Sequence, residues 1–266
     1  MFFDERLKFT SAKIQIFKVP KKNVSLRPVF RNMKYKRILL KLSGESLTGD
    51  DGYGVSYSHI AHYAEEIKSA VDAGVQVAVV IGGGNIFRGV QGASAGFERR
   101  QGDQMGMLAT IINSLAVQGV LEEMHVKTKV LSAVNIEGVC AKTSWRAAIE
   151  SLEAGYVTIL GGGTGNPFFT TDTGAALRAL EIKADLLIKG TRVDGVYIAD
   201  PEKDPTAIKF TELSLAEAYE KKLKIMDMTA FALCQENKMS IYVYDANTKG
   251  NLLKVLNGEP IGTLLF

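Results

Sequence analysis

A strand-like run, a glycine-rich loop and a carboxylate follow one another in Tyr156-Val157-Thr158-Ile159-Leu160-Gly161-Gly162-Gly163-Thr164-Gly165-Asn166-Pro167-Phe168-Phe169-Thr170-Thr171-Asp172. The residues that come next, 174–182, are rich in Ala and Leu at helical spacing. The loop therefore lies between a strand and a helix. In an open parallel sheet such a junction lies at the carboxyl end of the strands, where ligands bind and helix N–H groups favour an anion. This part of the chain predicts a binding site.

Similar strand-like runs of β-branched and apolar residues recur along the chain. They lie at residues 38–42, 75–81, 127–131, 186–189 and 241–244, and helix-length amphipathic segments lie between them at 59–73, 104–124, 144–154, 171–182 and 229–237. This alternation predicts an α/β fold with a central, mainly parallel sheet between two layers of helices, which is a three-layer αβα sandwich.

Composition limits the class of protein. The chain has 266 residues, of which 46% are hydrophobic, enough for one large α/β domain. No apolar run approaches the roughly 18 residues of a membrane span, so we expect a cytoplasmic protein without a membrane segment. Cys140 and Cys234 lie far apart, and His59 and His62 fit a solvated helix face, so we expect no metal site built from side chains.

The net charge of +3 is unevenly distributed along the chain. Residues 1–33 hold eight basic side chains against two acidic ones, a charge of +6, which leaves −3 on residues 34–266. A slightly acidic body does not favour nucleic-acid binding. We expect residues 1–33 to be a basic N-terminal extension that is disordered or precedes a natural start at Met33, with a transit peptide as the alternative. Residues 34–266 are expected to form a single domain.

Two motifs indicate contacts with phosphate. Lys41-Leu42-Ser43-Gly44 closes the first strand, where the lysine charge and the N–H groups of a Ser-Gly turn can reach phosphate oxygens. Gly82-Gly83-Gly84-Asn85 follows the second strand, and consecutive glycines are tolerated where the backbone approaches a ligand closely. Arg88, one turn further on, suits a bidentate phosphate contact. An ordinary turn is the alternative interpretation of both motifs.

Common nucleotide-binding and hydrolase patterns do not occur. Phe87, Asn166 and Phe168 stand where a dinucleotide-binding fingerprint requires its third glycine, and no Gly-x4-Gly-Lys-Ser/Thr is present. Gly44-Glu45-Ser46-Leu47-Thr48 lacks the final glycine of a serine hydrolase nucleophile elbow. These observations disfavour a dehydrogenase, a Walker-type NTPase and a serine hydrolase.

Four further side chains are candidates for ligand contact. Asp103 opens a long helical segment and Asp172 begins another, so each is either a helix N-cap or a ligand contact. Tyr197 follows an Asp-Gly turn and can stack on a base, and Asp200 is a polar group close behind it. The spacing of the neighbouring apolar residues is explained by hairpin packing alone, but these two side chains are not.

Taken together, the motifs resemble the bacterial uridylate kinases of the amino acid kinase superfamily. The resemblance covers residues 34–266 and rests on Lys41-Leu42-Ser43-Gly44, Gly82-Gly83-Gly84-Asn85, Asp103, the run from Gly163 to Asp172, and Val193-Asp194-Gly195-Val196-Tyr197. It implies an amino acid kinase-like fold and reversible, ATP-dependent phosphorylation of UMP to UDP in pyrimidine nucleotide biosynthesis. It also implies a homohexamer inhibited by UTP and, in many members, activated by GTP. Residues 49–54 correspond to a loop that related enzymes link to the GTP response, and a flexible acidic loop is the alternative interpretation.

The resemblance also implies a set of contacts for each nucleotide. ATP is expected at Lys41, Leu42, Ser43, Gly44, Gly84, Arg88, Thr191, Tyr197 and Asp200. UMP is expected at Gly83, Asp103, Thr164, Gly165, Asn166, Pro167, Phe168, Phe169, Thr170 and Thr171. Mg²⁺ is expected to accompany ATP, held mainly by phosphates and water because it dehydrates reluctantly.

A mechanism without a general base follows from the acceptor. A phosphate monoester with a second pKa of about 6 is already mostly dianionic at neutral pH. We therefore expect Lys41 to stabilise the transferred γ-phosphoryl group and Asp172 to orient Lys41 or the waters of Mg²⁺. Many superfamily members carry a second catalytic lysine late in the chain, but residues 226–231 contain none, and Arg88 is the candidate replacement.

Three alternatives are left open at this point. A superfamily relative that phosphorylates a carboxylate or carbamate would differ in its choice of acceptor. A nucleotide-sensing or storage protein on the same fold would bind UMP without turnover. A dehydrogenase would bind NAD.

Overall fold

The computed structural model describes residues 33–49, 52–87, 96–223 and 225–266. The predicted N-terminal extension lies outside these ranges except for Met33, and so does Arg88. Within them the chain forms one nine-stranded sheet, a separate two-stranded ribbon and helices on both faces of the sheet.

The strands and helices follow one another in the alternating order that the sequence predicts. The strands are β1 (Arg37–Leu42), β2 (Gln76–Ile81), β3 (Thr128–Ser132), β4 (Ala141–Lys142), β5 (Val157–Gly161), β6 (Leu186–Thr191), β7 (Val196–Tyr197), β8 (Lys209–Phe210), β9 (Glu212–Leu213), β10 (Ile241–Asp245) and β11 (Thr263–Leu265). The helices are α1 (Tyr57–Asp72), α2 (Arg99–Glu123), α3 (Trp145–Glu153), α4 (Thr171–Glu181), α5 (Leu215–Glu220), α6 (Met228–Glu236) and α7 (Asn251–Leu256).

The main sheet is parallel except at one end. Its strand order is β4-β3-β5-β2-β1-β6-β10-β11-β9, and every neighbouring pair is parallel apart from β10 and β11. The ribbon of β7 and β8 is antiparallel and forms a separate two-stranded sheet, which Thr263 of β11 contacts through hydrogen bonds with Val196 and Phe210. The predicted mainly parallel sheet of an amino acid kinase-like fold is therefore confirmed.

Side chains of each central strand alternate between two buried layers. In β1, Ile38 and Leu40 belong to the core beneath α1, α2 and α7, whereas Leu39 belongs to the core beneath α3, α4, α5 and α6. Because helices cover both faces, the central strands are almost continuously apolar. Lys41 lies on the same face as Leu39, since side chains alternate along a strand.

The long helix begins earlier than the sequence predicts. Glu98 is its N-cap, and its carboxylate accepts hydrogen bonds from the backbone N–H groups of Arg100 and Gln101. The prediction that Asp103 caps this helix is therefore wrong. The first apolar residues of the helix lie after its first turn, so apolar spacing alone places the start too late.

Helix α2 is also the one helix of the described ranges that is long and apolar enough to cross a bilayer. Its most apolar window has a mean hydropathy of 1.3, and half of that window is buried inside the domain. Long core helices of soluble proteins have the same properties, so this is weak evidence for a membrane span.

Candidate active site

Four neighbouring strands end at the same edge of the sheet and carry the loops that the sequence singled out. In the order β5, β2, β1 and β6, they lead into the loop at 161–170, the triple glycine, the Lys41 turn and Thr191. Because all four strands are parallel, their carboxyl ends lie side by side. This is the edge at which open α/β sheets bind ligands.

Two lysines and one carboxylate meet at this edge. Lys41 and Lys189 are partners in the register of β1 and β6, and both face the layer that contains α4. The first turn of α4 carries Asp172, whose Oδ1 lies 2.5 Å from Lys41 Nζ and whose Oδ2 lies 2.8 Å from Lys189 Nζ. The carboxylate therefore bridges two ammonium groups on adjacent strands.

Burial and mutual attraction set the charges of this cluster. Burial opposes ionisation of Asp172, but the neighbouring ammonium groups of Lys41 and Lys189 outweigh it and lower the pKa of the carboxyl group below its ordinary value of 3.8. Burial lowers the pKa of Lys189 below 10.5, in opposition to the attraction of Asp172 and with help from repulsion by Lys41. Lys189 also donates to the backbone carbonyl of Ile225, which fixes the direction of its side chain.

The glycine loop closes over the start of α4. Its tight path requires positive φ at Gly162 and Gly163, with values of 77° and 58°, which glycine adopts without a steric penalty. Thr170 caps α4 by accepting from the N–H of Asp172, and its hydroxyl donates to Asp227. Asp227 is in turn the N-cap of α6, so the loop and two helix starts are held together.

The first cleft, with a volume of about 530 Å³, lies between the triple glycine, α2 and the glycine loop. It is lined by seven of the residues expected at UMP, which are Gly83, Asp103, Thr164, Asn166, Phe169, Thr170 and Thr171. Lys41, Ser43, Gly44 and Gly84, which are expected at ATP, line the same cleft. The other residues expected at UMP, Gly165, Pro167 and Phe168, do not line it.

Asp103 lies inside α2 and organises the mouth of this cleft. Its carboxylate accepts from Arg99 Nε at 2.8 Å and from the backbone N–H of Phe168 at 2.8 Å. Phe168 has a positive φ of 73°, an uncommon conformation for a bulky residue, and its exposed ring lies against the Arg99 guanidinium. A ligand hydroxyl at Asp103 would therefore compete with these two donors.

The second cleft, about 630 Å³, is reached by Lys189 and not by Lys41. Thr191, Tyr197 and Asp200, which are expected at ATP, line it together with Lys189. A third cavity, about 830 Å³, adjoins it and shares Lys189 with it. Leu42, by contrast, is fully buried and its side chain belongs to the core, so only its backbone can serve a ligand.

Sequence reasoning missed several groups at this site. Lys189 is the most important, and its signal was a lysine at the carboxyl end of an apolar strand, the same pattern as Lys41. Arg99 and Thr110 line the first cleft from α2 without a motif of their own. Arg88, the predicted second charge, lies outside the described residues.

The side chains of the site do not form a cage for a metal ion. No group of three or more His, Cys, Asp and Glu side chains suited to a metal occurs among residues 33–49, 52–87, 96–223 and 225–266. Asp172, the buried carboxylate at the centre, is already engaged by two ammonium groups, which disfavour a cation at the same oxygens. The donor set therefore does not fit a metal held by the protein itself.

Two ammonium groups held by one carboxylate between two clefts suit the transfer of a charged phosphoryl group. Residues 36–245 match the family model described as the amino acid kinase family, and the chain belongs to this family of kinases. Uridylate kinase of Porphyromonas gingivalis is 61% identical over 229 residues, which are 86% of this chain and 96% of that protein. Uridylate kinase of Parabacteroides distasonis is 58% identical over 233 residues, 87% of this chain and 98% of that protein. Within the family, the chain groups with the bacterial uridylate kinases.

Solved structures agree with this grouping. UMP kinase from Bacillus anthracis is 35% identical and superposes with a TM-score of 0.84 over 87% of this chain and 96% of that one. UMP kinase from Ureaplasma parvum is 36% identical, with a TM-score of 0.83 over 88% of this chain and 99% of that one.

Proposed function

We propose that this kinase reversibly transfers the γ-phosphoryl group of ATP to UMP, giving ADP and UDP for pyrimidine nucleotide biosynthesis in the cytoplasm. The names of the relatives, uridylate kinase and UMP kinase, support this acceptor. So does the first cleft, whose wall is the glycine loop with its hydroxyl and aromatic side chains. UMP is assigned to the first cleft and the adenosine of ATP to the second.

The Lys41–Asp172–Lys189 cluster carries the proposal. Lys41 lines the first cleft, Lys189 lines the second, and Asp172 contacts both ammonium groups. Phosphoryl transfer depends on alignment and on neutralisation of charge, and two cations at the border of the clefts supply both. Because the UMP phosphate is mostly dianionic at neutral pH, no general base is needed.

Each member of the cluster has a separate role in this proposal. Lys41 stabilises the transferred γ-phosphoryl group, and Asp172 orients both lysines. Lys189 supplies the second positive charge, a role that the sequence alone assigns to Arg88. Arg88 keeps its proposed role as a further phosphate contact.

Three accompanying features belong to the same proposal. Mg²⁺ accompanies ATP, held by phosphate oxygens and water, and no step is assigned to a metal held by side chains. UTP, which resembles the product, is a proposed inhibitor. The chain is proposed to form a homohexamer.

A coupled assay with ATP and Mg²⁺ tests the proposal by comparing UMP, CMP, dUMP and aspartate as acceptors. We expect strong ADP formation with UMP and little with CMP. Turnover with aspartate instead would indicate a carboxylate kinase of the same superfamily. Tight UMP binding without turnover by any acceptor would indicate a nucleotide-sensing protein, and NAD binding would indicate a dehydrogenase.

A further inference from the structure

Two buried asparagines form a reciprocal amide pair beneath the first cleft. Asn113, on α2, donates to Asn85 Oδ1 at 2.7 Å, and Asn85 donates back to Asn113 Oδ1 at 3.0 Å. Both side chains are buried, with exposures of 0% for Asn113 and 2% for Asn85. Neither residue lines the cleft itself.

The pair connects three segments that are distant in sequence. Asn113 uses its other N–H to donate to the carbonyl of Gly82 at 2.7 Å, and Asn85 donates to the carbonyl of Gly54 at 2.7 Å. A Cβ atom on Gly44 would lie 2.4 Å from Asn85 Oδ1 and 2.5 Å from the Gly82 carbonyl oxygen. The Lys41 turn therefore packs directly on the amide pair and on the triple glycine.

The hydrogen bond to Gly82 also sets the direction of a neighbouring donor. In a trans peptide the C=O of one residue and the N–H of the next point in opposite directions. Because the Gly82 carbonyl points to Asn113, the N–H of Gly83 points away from the Asn113 side chain, and Gly83 itself lines the first cleft. A Cβ on Gly83 would lie 2.8 Å from the Gly106 carbonyl, so the loop has little room to turn otherwise.

We propose that Asn113 and Asn85 are positioning residues for the kinase reaction. They aim the Gly83 N–H at the acceptor and fix the triple glycine against the turn of Lys41, so that donor and acceptor phosphates are aligned. Apolar side chains could fill the same volume, but only the amides fix the orientation of a peptide plane. This inference rests on the proposed function.

The test compares kcat and KM of Asn113→Ala and Asn113→Leu with those of the wild type, at a temperature where circular dichroism shows each variant fully folded. We expect kcat to fall at least about tenfold, since a displacement of about 1 Å at a reacting centre can cost a hundredfold. We expect KM for UMP and ATP to change less than about threefold. Asn113→Leu keeps the approximate shape of the side chain without introducing a charge, and it loses both N–H donations, to Gly82 and to Asn85 Oδ1, so it carries the test if Asn113→Ala does not fold.

Ser151→Ala is the matched control. It removes a buried hydrogen bond of 2.9 Å between Thr158 and Ser151, which line none of the three cavities. We expect this variant to lose stability and keep kcat.

A double-mutant cycle with Asn85→Ala provides a readout that a merely structural role would not move. If the pair acts as one unit, the double variant should have nearly the kcat of the slower single variant. Folded Asn113 variants with kcat within about twofold of the Ser151→Ala control would overturn the inference. A wild-type protein without UMP-dependent turnover would overturn the proposed function as well.

Discussion

At the residue scale, the site depends on a carboxylate that must stay charged while buried. Asp172 remains ionised because two ammonium groups face it, and its charge in turn favours the charged form of Lys189. Removing one member would alter the electrostatic surroundings of the other two. Single substitutions should therefore act on turnover more than on nucleotide affinity.

Lys41→Ala should lower kcat at least about a hundredfold, which corresponds to about 2.7 kcal/mol, because it removes a preorganised charge next to the transferred group. Steady-state kinetics with UMP and ATP measure the effect. Lys36→Ala serves as the control, because Lys36 is exposed, lies just before the start of β1 and lines none of the three cavities. A Lys41→Ala enzyme with a raised KM and an unchanged kcat would contradict the catalytic role.

The stability of the protein should depend on pH through Asp172. Its pKa is lower in the folded state, so the ionised carboxylate contributes stability that is present above its ordinary pKa of 3.8 and is lost as pH falls through the folded value. We expect Asp172→Asn to unfold more easily than the wild type at neutral pH. The difference in the free energy of unfolding between wild type and Asp172→Asn should become smaller as the pH is lowered below 3.8.

Urea unfolding of both proteins across this pH range measures the difference between their free energies of unfolding. A difference that stays constant, or that widens in acid, would show that the lysines do not stabilise the charged carboxylate.

At the element scale, several helices end with a residue other than glycine in the left-handed conformation. Lys238 follows the end of α6 with a φ of 53°. Lys238→Gly should stabilise the protein by about 0.5–1 kcal/mol, because the relief of about 1–2 kcal/mol of strain exceeds the extra entropy that glycine loses on folding. Urea unfolding measures the change.

Ala232→Gly, at an exposed position in the middle of α6, is the control for that substitution. It places the same residue inside α6, where glycine costs about 1 kcal/mol relative to a good helix former. Equal destabilisation by both substitutions would contradict the assignment of strain to Lys238.

The elements also show how far the sequence predicts the fold. All six long strands and five helices were recognised from periodicity, because each has enough residues to display a period. Strands of two residues such as β4 and β9 were not, since their stability comes from neighbours that are distant in sequence. Helix α5, with six residues, is too short to show a helical period clearly.

The same limit explains what was missed at the site. The motifs around Lys41 and Asp172 are local, and the structure places both at the same edge of the sheet. Lys189 can be recognised as a site residue only from the strand register that places it opposite Lys41. Asn113 can be recognised only from the packing of α2 against the triple glycine. Pairing across the sheet is not encoded in any local spacing.

At the scale of the whole molecule, α2 has two different faces. Thr110 and Asn113 face the two glycine loops, with hydrogen bonds to Gly162 and Gly82. The opposite side carries an exposed apolar stripe of Met105, Leu108, Ile112 and Leu115. Their spacing of three and four residues produces one continuous face, which suits contact with a second copy of the chain.

Ile112→Glu should therefore reduce the oligomeric mass, because it places a charge at the centre of that stripe. Light scattering coupled to size-exclusion chromatography measures the mass. Ile208→Glu adds the same charge at another exposed position and should leave the mass unchanged. An unaltered mass for Ile112→Glu would show that the oligomer, if formed, uses a different surface.

The positions of Lys41 and Lys189 mean that enzyme activity can report on the folding of the sheet. Lys41 and Lys189 lie on β1 and β6, neighbours in the sheet whose sequences are separated by four strands and four α-helices within residues 52–87 and 96–185. Asp172 can contact both lysines only after β1 and β6, which are distant in sequence, have paired in the sheet. The rate at which turnover returns during refolding should therefore report the rate at which β1 and β6 pair. During synthesis, the nascent chain should have no kinase activity until Lys189 and the residues after it have been translated and have left the ribosome.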